Sequence, residues 1–211
     1  MNKKITHWLG LTALILCLLT LAISITINAF PLYYADIDYL NILDYVEVTK
    51  EALIKNYHIL MEYLNFPWVR ELQMPDFPTS ESGALHFYEV KRLFQLNYAV
   101  FLLTVIPSIV YVRYLVKTAS LWRIIRPFQS LVTFLIALVF LMGIAFDRFF
   151  VLFHEVFFNN DAWIFDPATD PIILALPQAY FMHCFILFFI LFIGFQLLGI
   201  LIAKKQVERL R

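Results

Sequence analysis

The stretch YFMHCFILFFILFIGFQLLGILIA, residues 180–203, contains no Asp, Glu, Lys or Arg. A helix rises 1.5 Å per residue and the hydrocarbon core of a bilayer is about 30 Å thick, so roughly 20 apolar residues suffice to cross it. The stretch therefore reads as a membrane span. Three others meet that length: Trp8 to Phe30, Leu96 to Val116, and Phe128 to Phe146. The composition agrees, being 62% hydrophobic and 15% charged with 22 phenylalanines. Globular chains run near 45–50% apolar and about 25% charged, and the excess needs a second apolar solvent. The expected fold class is an all-α membrane protein, a four-transmembrane-helix bundle forming one membrane domain over residues 1–211. Pro107 removes a backbone donor in the second span and is expected to kink it. The first span follows Lys3 and Lys4 as a signal peptide would. Its length, and Ile27 where cleavage after Ala29 would want a small residue, favour an uncleaved anchor.

Orientation follows from Lys and Arg in the short connections. Lys3, Lys4, Arg113, Lys117, Arg123, Arg126, Lys204, Lys205, Arg209 and Arg211 are ten of the sixteen basic residues, and all flank one side of the spans. They place both termini in the cytoplasm. Segments 31–95 and 147–179 then face outward, carrying fifteen of the sixteen acidic residues. The formal net charge of zero is thus the sum of two opposed layers, and it offers no basic surface for nucleic acid.

The outer segments are expected to fold as an extracellular helical cap. Leu53, Tyr57, Leu60, Met61 and Leu64 form a helical stripe within Thr49 to Phe66. The break Met74-Pro75-Asp76-Phe77-Pro78 ends that part. Thr79 to Gly83 can cap a new helix that carries Leu85, His86, Glu89 and Arg92 directly into the second span. Pro167, Pro171 and Pro177 make the chain irregular after Asn160.

Five histidines bear on chemistry. His7 beside Trp8 fits an interfacial anchor, His58 a solvated or satisfied position on the cap helix, and His183 a place near the outer end of the fourth span. His86 and His154 stand about ten residues before the second span and about eight after the third, which brings them to similar heights above the hydrocarbon. Glu89 follows His86 by three residues and Asp147 precedes His154 by two turns. Such carboxylates can orient an imidazole or raise its pKa toward that of a general base. Phe149, Phe150, Phe153, Phe157 and Phe158 lead into Asn159-Asn160-Asp161-Ala162-Trp163. This run reads either as an aromatic interface belt or as a chamber for acyl chains whose amide and indole groups donate to an oxyanion. A metal site on Asp161, Asp166 and Asp170 lacks spaced histidine partners. Cys17 and Cys184 lie in apolar runs, outside any zinc or redox spacing. No phosphate loop, nucleophile elbow or H-E-x-x-H pair occurs. The residues leave open an enzyme, a lipid hydrolase included, or a non-enzymatic four-span protein that binds a lipid or partner through its cap.

The stretches Ser82-Gly83-Ala84-Leu85-His86-Phe87-Tyr88-Glu89-Val90-Lys91 and Arg148 to Trp163, the latter containing H-E-V-F-F-N-N-D-A-W and followed by Asp166-Pro167, resemble the lipoprotein intramolecular transacylase family, Lit. The resemblance extends over the whole chain in length, span number and cap position. One departure is Glu89, where the pattern leads one to expect Asp. The resemblance implies a multi-pass bacterial cell-membrane enzyme with its active site at the extracellular face and a diacylated lipoprotein, embedded in membrane lipid, as substrate. The reaction it implies moves the sn-2 acyl chain of the diacylglyceryl group to the α-amine of the N-terminal cysteine, giving the lyso-form lipoprotein. His86 and His154 correspond to the family's catalytic histidines. Glu89, Phe153, Phe157, Phe158, Asn159, Asn160, Asp161 and Trp163 are the candidates for substrate binding or oxyanion stabilisation. No cofactor or metal is called for.

Overall fold

The computed structural model describes residues 3–209; Arg211, counted above with the cytoplasmic residues, lies outside them. The helices are α1 (Lys3–Ile27), α2 (Phe30–Tyr39), α3 (Lys50–Asn65), α4 (Glu81–Lys117), α5 (Ile125–Ile144), α6 (Phe146–Phe157), α7 (Ile172–Ala175) and α8 (Gln178–Arg209), with 3₁₀ turns at Ile42–Asp44 and Leu121–Ile124. No strand occurs among the described residues. Four helical segments are long and apolar enough to cross a membrane: Lys4–Ile27, Glu81–Lys117, Leu121–Ile144 and Gln178–Arg209.

Two span ends come earlier in the chain than the sequence reading has them. The first span ends at Ile27 and not Phe30, because Ala29 takes a non-helical conformation (φ −79°, ψ 61°) and Pro31 opens α2. The third ends at Ile144 and not Phe146: Ala145 leaves the helical region (φ −142°, ψ 56°), and Phe146 begins the separate helix α6. Pro107 lies inside α4, which continues to Lys117. Beside it the Thr104 and Ser108 hydroxyls donate to the carbonyls of Val100 and Thr104.

The chain divides into two compact units. The first comprises Met1–Asn28, Asn97–Ile144 and Phe185–Arg211, and its core gathers Leu11, Leu14, Tyr111, Leu115, Phe128 and Ile200. Within it Asn97 donates to Ser24 at 2.8 Å and the Tyr111 hydroxyl meets His7 Nδ1 at 2.7 Å, while the side-chain N and O of the buried Gln196 have no hydrogen-bond partner.

The second unit, Ala29–Leu96 and Ala145–Cys184, is built on α3. The expected stripe of Leu53, Tyr57, Leu60, Met61 and Leu64 is buried in full, and Thr49 caps the helix by accepting from the Ala52 amide at 3.2 Å. Tyr57 stacks on Tyr33 with centroids 3.8 Å apart and shares a 2.8 Å hydrogen bond with Tyr180. Asn56, fully buried, donates to Asp76 at 2.6 Å and fixes the proline-flanked break after α3. Gln95 of α4 donates to the Leu64 and Asn65 carbonyls at the end of α3.

The start of α4 is held from far along the chain. Ser80 accepts from the Gly83 amide at 3.0 Å, an N-cap of the kind the sequence suggests. Ser80 in turn donates its own amide (2.8 Å) and hydroxyl (2.7 Å) to the carboxylate of Asp170, which also accepts from Thr169. Burial disfavours the Asp170 charge, but these hydrogen bonds outweigh it and hold the carboxyl below its usual pKa. Gly83 makes the approach possible, since a Cβ there would lie 2.2 Å from Asp170 Oδ1 and 3.3 Å from the Phe165 ring. Gly83→Ala should therefore destabilise the protein by about 1–3 kcal/mol despite the better helix propensity of alanine. Thermal unfolding of the detergent-solubilised chain measures this, with Gly143→Ala as control because a Cβ there meets nothing within 4 Å.

Candidate active site

The second unit brings His86 and His154 together, with ring centroids 5.8 Å apart. His86 lies one and a half turns into α4, where the Ser80 cap fixes the helix start, and is 7% exposed. Phe158 and Phe165 meet its ring edge-on at 4.7 and 5.4 Å. His86 Nδ1 is a buried atom without a hydrogen-bond partner.

His154 is on α6, whose residues Phe146, Phe149, Phe150, Phe153 and Phe157 recur at helical spacing. Asp147, Arg148, Val151, Leu152, Glu155 and Val156 occupy its exposed side. His154 Nδ1 is 2.7 Å from the Phe150 carbonyl oxygen. A carbonyl can only accept, so Nδ1 carries the proton, and in the neutral ring Nε2 is the basic nitrogen. Trp163 stacks on the imidazole at 4.7 Å and 27°, and Phe153 meets it edge-on at 5.6 Å. Burial lowers the His154 pKa, and the bond to the Phe150 carbonyl only partly opposes this.

Neither carboxylate does what its spacing suggests. Asp147 accepts from Gln178 at 2.9 Å, and His154 is oriented by its own helix backbone. Glu89 reaches across to Asn160, whose Nδ2 donates to Oε1 at 2.8 Å, while Oε2 is buried and unpartnered. Asn160 Oδ1 accepts from the Ala162 amide at 2.9 Å, and this turn sets Trp163 over His154. Asn159, Asp161 and Phe157 are exposed; the Phe157 ring lies 4.7 Å from that of Phe153. Phe165 and the Phe150 carbonyl, which complete the surroundings of the two rings, were not among the expected site residues. Asp170 is occupied with Ser80 and Thr169, and no group of three or more His, Cys, Asp or Glu suited to a metal gathers among the described residues. His183 pairs with buried Asp36 at 2.8 Å, and His58 with Tyr34 at 2.6 Å.

The described residues thus form an all-α protein with four helices long and apolar enough to cross a membrane, and two histidine rings 5.8 Å apart among aromatic side chains. The model of the lipoprotein intramolecular transacylase family Lit matches residues 8–181, and the chain belongs to that family. Among solved structures it is similar to the membrane-integral lipoprotein intramolecular transacylase Lit from Bacillus cereus, at 30% identity over 98% of this chain and 96% of that one, with a TM-score of 0.91. Two structures of the Bacillus cereus protein with one histidine changed to arginine or to alanine match at 30% identity over 98% of this chain, each with a TM-score of 0.84; they are covered to 92% and 94%. No curated protein matches the chain. The chain is thus a multi-pass bacterial membrane protein and an intramolecular transacylase.

Since Glu89 acts on the Asn160 turn through an acceptor oxygen, Glu89→Gln should keep most of the activity. Glu89→Leu should lose up to about 10²-fold through misplacement of Trp163. The rate of conversion of a diacylated lipopeptide by each purified variant checks this.

Proposed function

We propose that the enzyme moves the sn-2 acyl chain of a lipoprotein's diacylglyceryl group to the α-amine of its N-terminal cysteine, with His154 as general base and His86 as hydrogen-bond donor to the oxyanion. The observation that carries the assignment is the 2.7 Å contact from His154 Nδ1 to the Phe150 carbonyl, which leaves Nε2 free to take a proton. We place the site at the extracellular face, in a cap formed by 31–95 and 147–179. The acidic character of these segments and the basic character of the remainder support that side. Residues 81–96 of α4 include Glu81, Glu89, Lys91 and Arg92, so on this reading they stand outside the hydrocarbon and the crossing runs over 96–116.

Burial, with a smaller contribution from His154, pushes the His86 pKa down to about 4. His86 is then neutral at pH 7, and a neutral imidazole can still polarise a carbonyl through its N–H. A free α-amine has a pKa of about 7.7–8.0 and arrives largely protonated, but an apolar chamber disfavours the ammonium and favours the nucleophilic amine. The amine nitrogen attacks the ester carbonyl carbon, and the carbonyl electrons pass to the oxygen facing the His86 N–H. The new N–C bond makes the nitrogen strongly acidic, and His154 Nε2 takes its proton. Collapse of the intermediate breaks the bond to the glyceryl oxygen, which receives that proton. The products are an amide and a free sn-2 hydroxyl. Phe153, Phe158, Phe165 and Trp163 exclude water, the competing nucleophile.

Expression in a host whose lipoproteins carry a diacylglyceryl group and a free amine tests the reading, with mass spectrometry of the N-terminal peptides. The expected product is the N-acyl, S-monoacylglyceryl form. Released fatty acid would instead indicate a hydrolase, and unchanged peptides would overturn the reaction. His154→Ala and His86→Ala, each checked for membrane expression, should reduce conversion by about 10²–10⁴-fold, and full activity in either would remove that histidine from the mechanism. The protonation states are read separately by ¹⁵N NMR of histidine-labelled enzyme. Because the folded pKa is depressed, His86 should stay neutral as pH falls through 6.5 and protonate only near pH 4. A resonance lost in His86→Asn identifies it.

A further inference from the structure

The proposed reaction makes no use of Lys91, a buried cation on α4. Its ammonium donates to the Val69 carbonyl and lies 4.2 Å from the centre of the Tyr63 ring. One turn further along α4, Gln95 donates to the carbonyls of Leu64 and Asn65 at 3.2 and 3.0 Å. The segment Phe66-Pro67-Trp68 is thus pinned to α4 on both sides, and a 3.2 Å bond from the Val69 amide to the Phe66 carbonyl closes it as a turn. Between the pins the Phe66 and Trp68 rings stack at 4.9 Å and 25°, yet they are 42% and 71% exposed. A large apolar pair held outward by such bonds calls for a surface that covers it.

We propose that the Phe66-Pro67-Trp68 turn is a membrane anchor, seating its aromatic pair in the headgroup layer of the outer leaflet where α4 enters the hydrocarbon. The proposal rests on the crossing over 96–116 inferred above. The pins set the height. Lys91 and Gln95 precede Leu96 by about 7.5 and 1.5 Å along the helix axis, and the headgroup layer is about 5–7 Å deep on each side of the hydrocarbon. The exposed face of α4 changes character at the same level. Tyr88, Arg92, Leu96, Leu103 and Ile106 follow one another at helical spacing and are all exposed. The first two form an aromatic and basic pair, in which Arg92 donates to the Tyr88 hydroxyl at 3.1 Å, and the rest are aliphatic. Tyr, Trp and Arg suit the headgroup layer, where an apolar body and a polar tip are both accommodated. The turn therefore stands beside a face that continues into the bilayer, which makes lipid its cover. So seated, it holds the end of α3 at a set depth in the leaflet that, on the same reading, carries the substrate.

The test is ¹⁹F NMR of the full chain, labelled with 5-fluorotryptophan and reconstituted in phosphatidylcholine nanodiscs. The resonance lost in Trp68→Phe is that of Trp68. Phosphatidylcholine with a nitroxide on its headgroup should broaden that resonance about twofold or more beyond the effect of a soluble gadolinium chelate, and beyond that of a nitroxide near the acyl-chain end. Leu103, 75% exposed on α4, supplies a reporter of the crossing itself. The indole introduced by Leu103→Trp should respond most to the acyl-chain nitroxide. If it does while Trp68 responds chiefly to the soluble chelate, the turn stands in water and the anchor is overturned with the crossing intact. A strongest response of Trp68 to the acyl-chain nitroxide would place the turn in the hydrocarbon and equally overturn its seat among the headgroups. Broadening of the Leu103→Trp indole chiefly by the chelate would instead overturn the crossing over 96–116, and the anchor with it.

Discussion

The carboxylate of Asp170 sets the geometry on which the site depends. It is 2% exposed and accepts three hydrogen bonds, two of them from Ser80, ninety residues away in sequence. A buried charge is tolerable only when its lone pairs are met by donors. Here two of those donors belong to the residue that caps α4, so satisfying the charge fixes where the helix begins. His86 follows that cap by six residues and therefore inherits its position. Phe165, five residues before Asp170, is drawn against the same ring. One ionic anchor thus joins the segment after α6 to the first turn of α4, and the absent side chain at Gly83 is what lets the carboxylate come close.

The spans were legible in the sequence because the bilayer imposes a length and forbids unpaired backbone, leaving runs such as Phe128 to Ile144 only one regular structure. Helix α3 was equally legible, since a stripe from Leu53 to Leu64 has a single way to be buried. The exact ends were not. Pro31, two residues after Ala29, is a local stop signal for the first span, whereas Ala145 carries no comparable sign that it leaves the helix.

Of the site, position was readable and connection was not. Histidines close to a span end and a phenylalanine-rich turn sufficed to single out His86, His154 and Trp163. Spacing along one helix, however, suggested Glu89 for His86 and Asp147 for His154. Both carboxylates found partners on other elements, Asn160 and Gln178. The i to i+3 or i+4 rule says which side chains can touch, but competition from distant donors decides which do. The partner that orients His154 is a backbone carbonyl, present at every helical residue and so invisible to a search for carboxylates. Phe165 was missed for a related reason, because only the long-range Asp170 anchor brings its segment to His86.

On the proposed chemistry, the lack of an orienting carboxylate has a consequence. A histidine paired with a carboxylate gains basicity and tends to hold a proton at pH 7. Here both rings are buried among aromatic groups and both pKa values are lowered, so neither is set up to deprotonate an ammonium in water. An intermolecular reaction with a dilute amine would suffer from so weak a base. In an intramolecular transfer the amine and ester are tethered to the same cysteine, and pre-positioning them can replace about 7–11 kcal/mol of barrier in favourable cases. The same apolar walls that weaken the base also shift the amine toward its neutral form. The base is then needed only after attack, when the nitrogen proton has become far more acidic and a weakly basic Nε2 is sufficient to accept it.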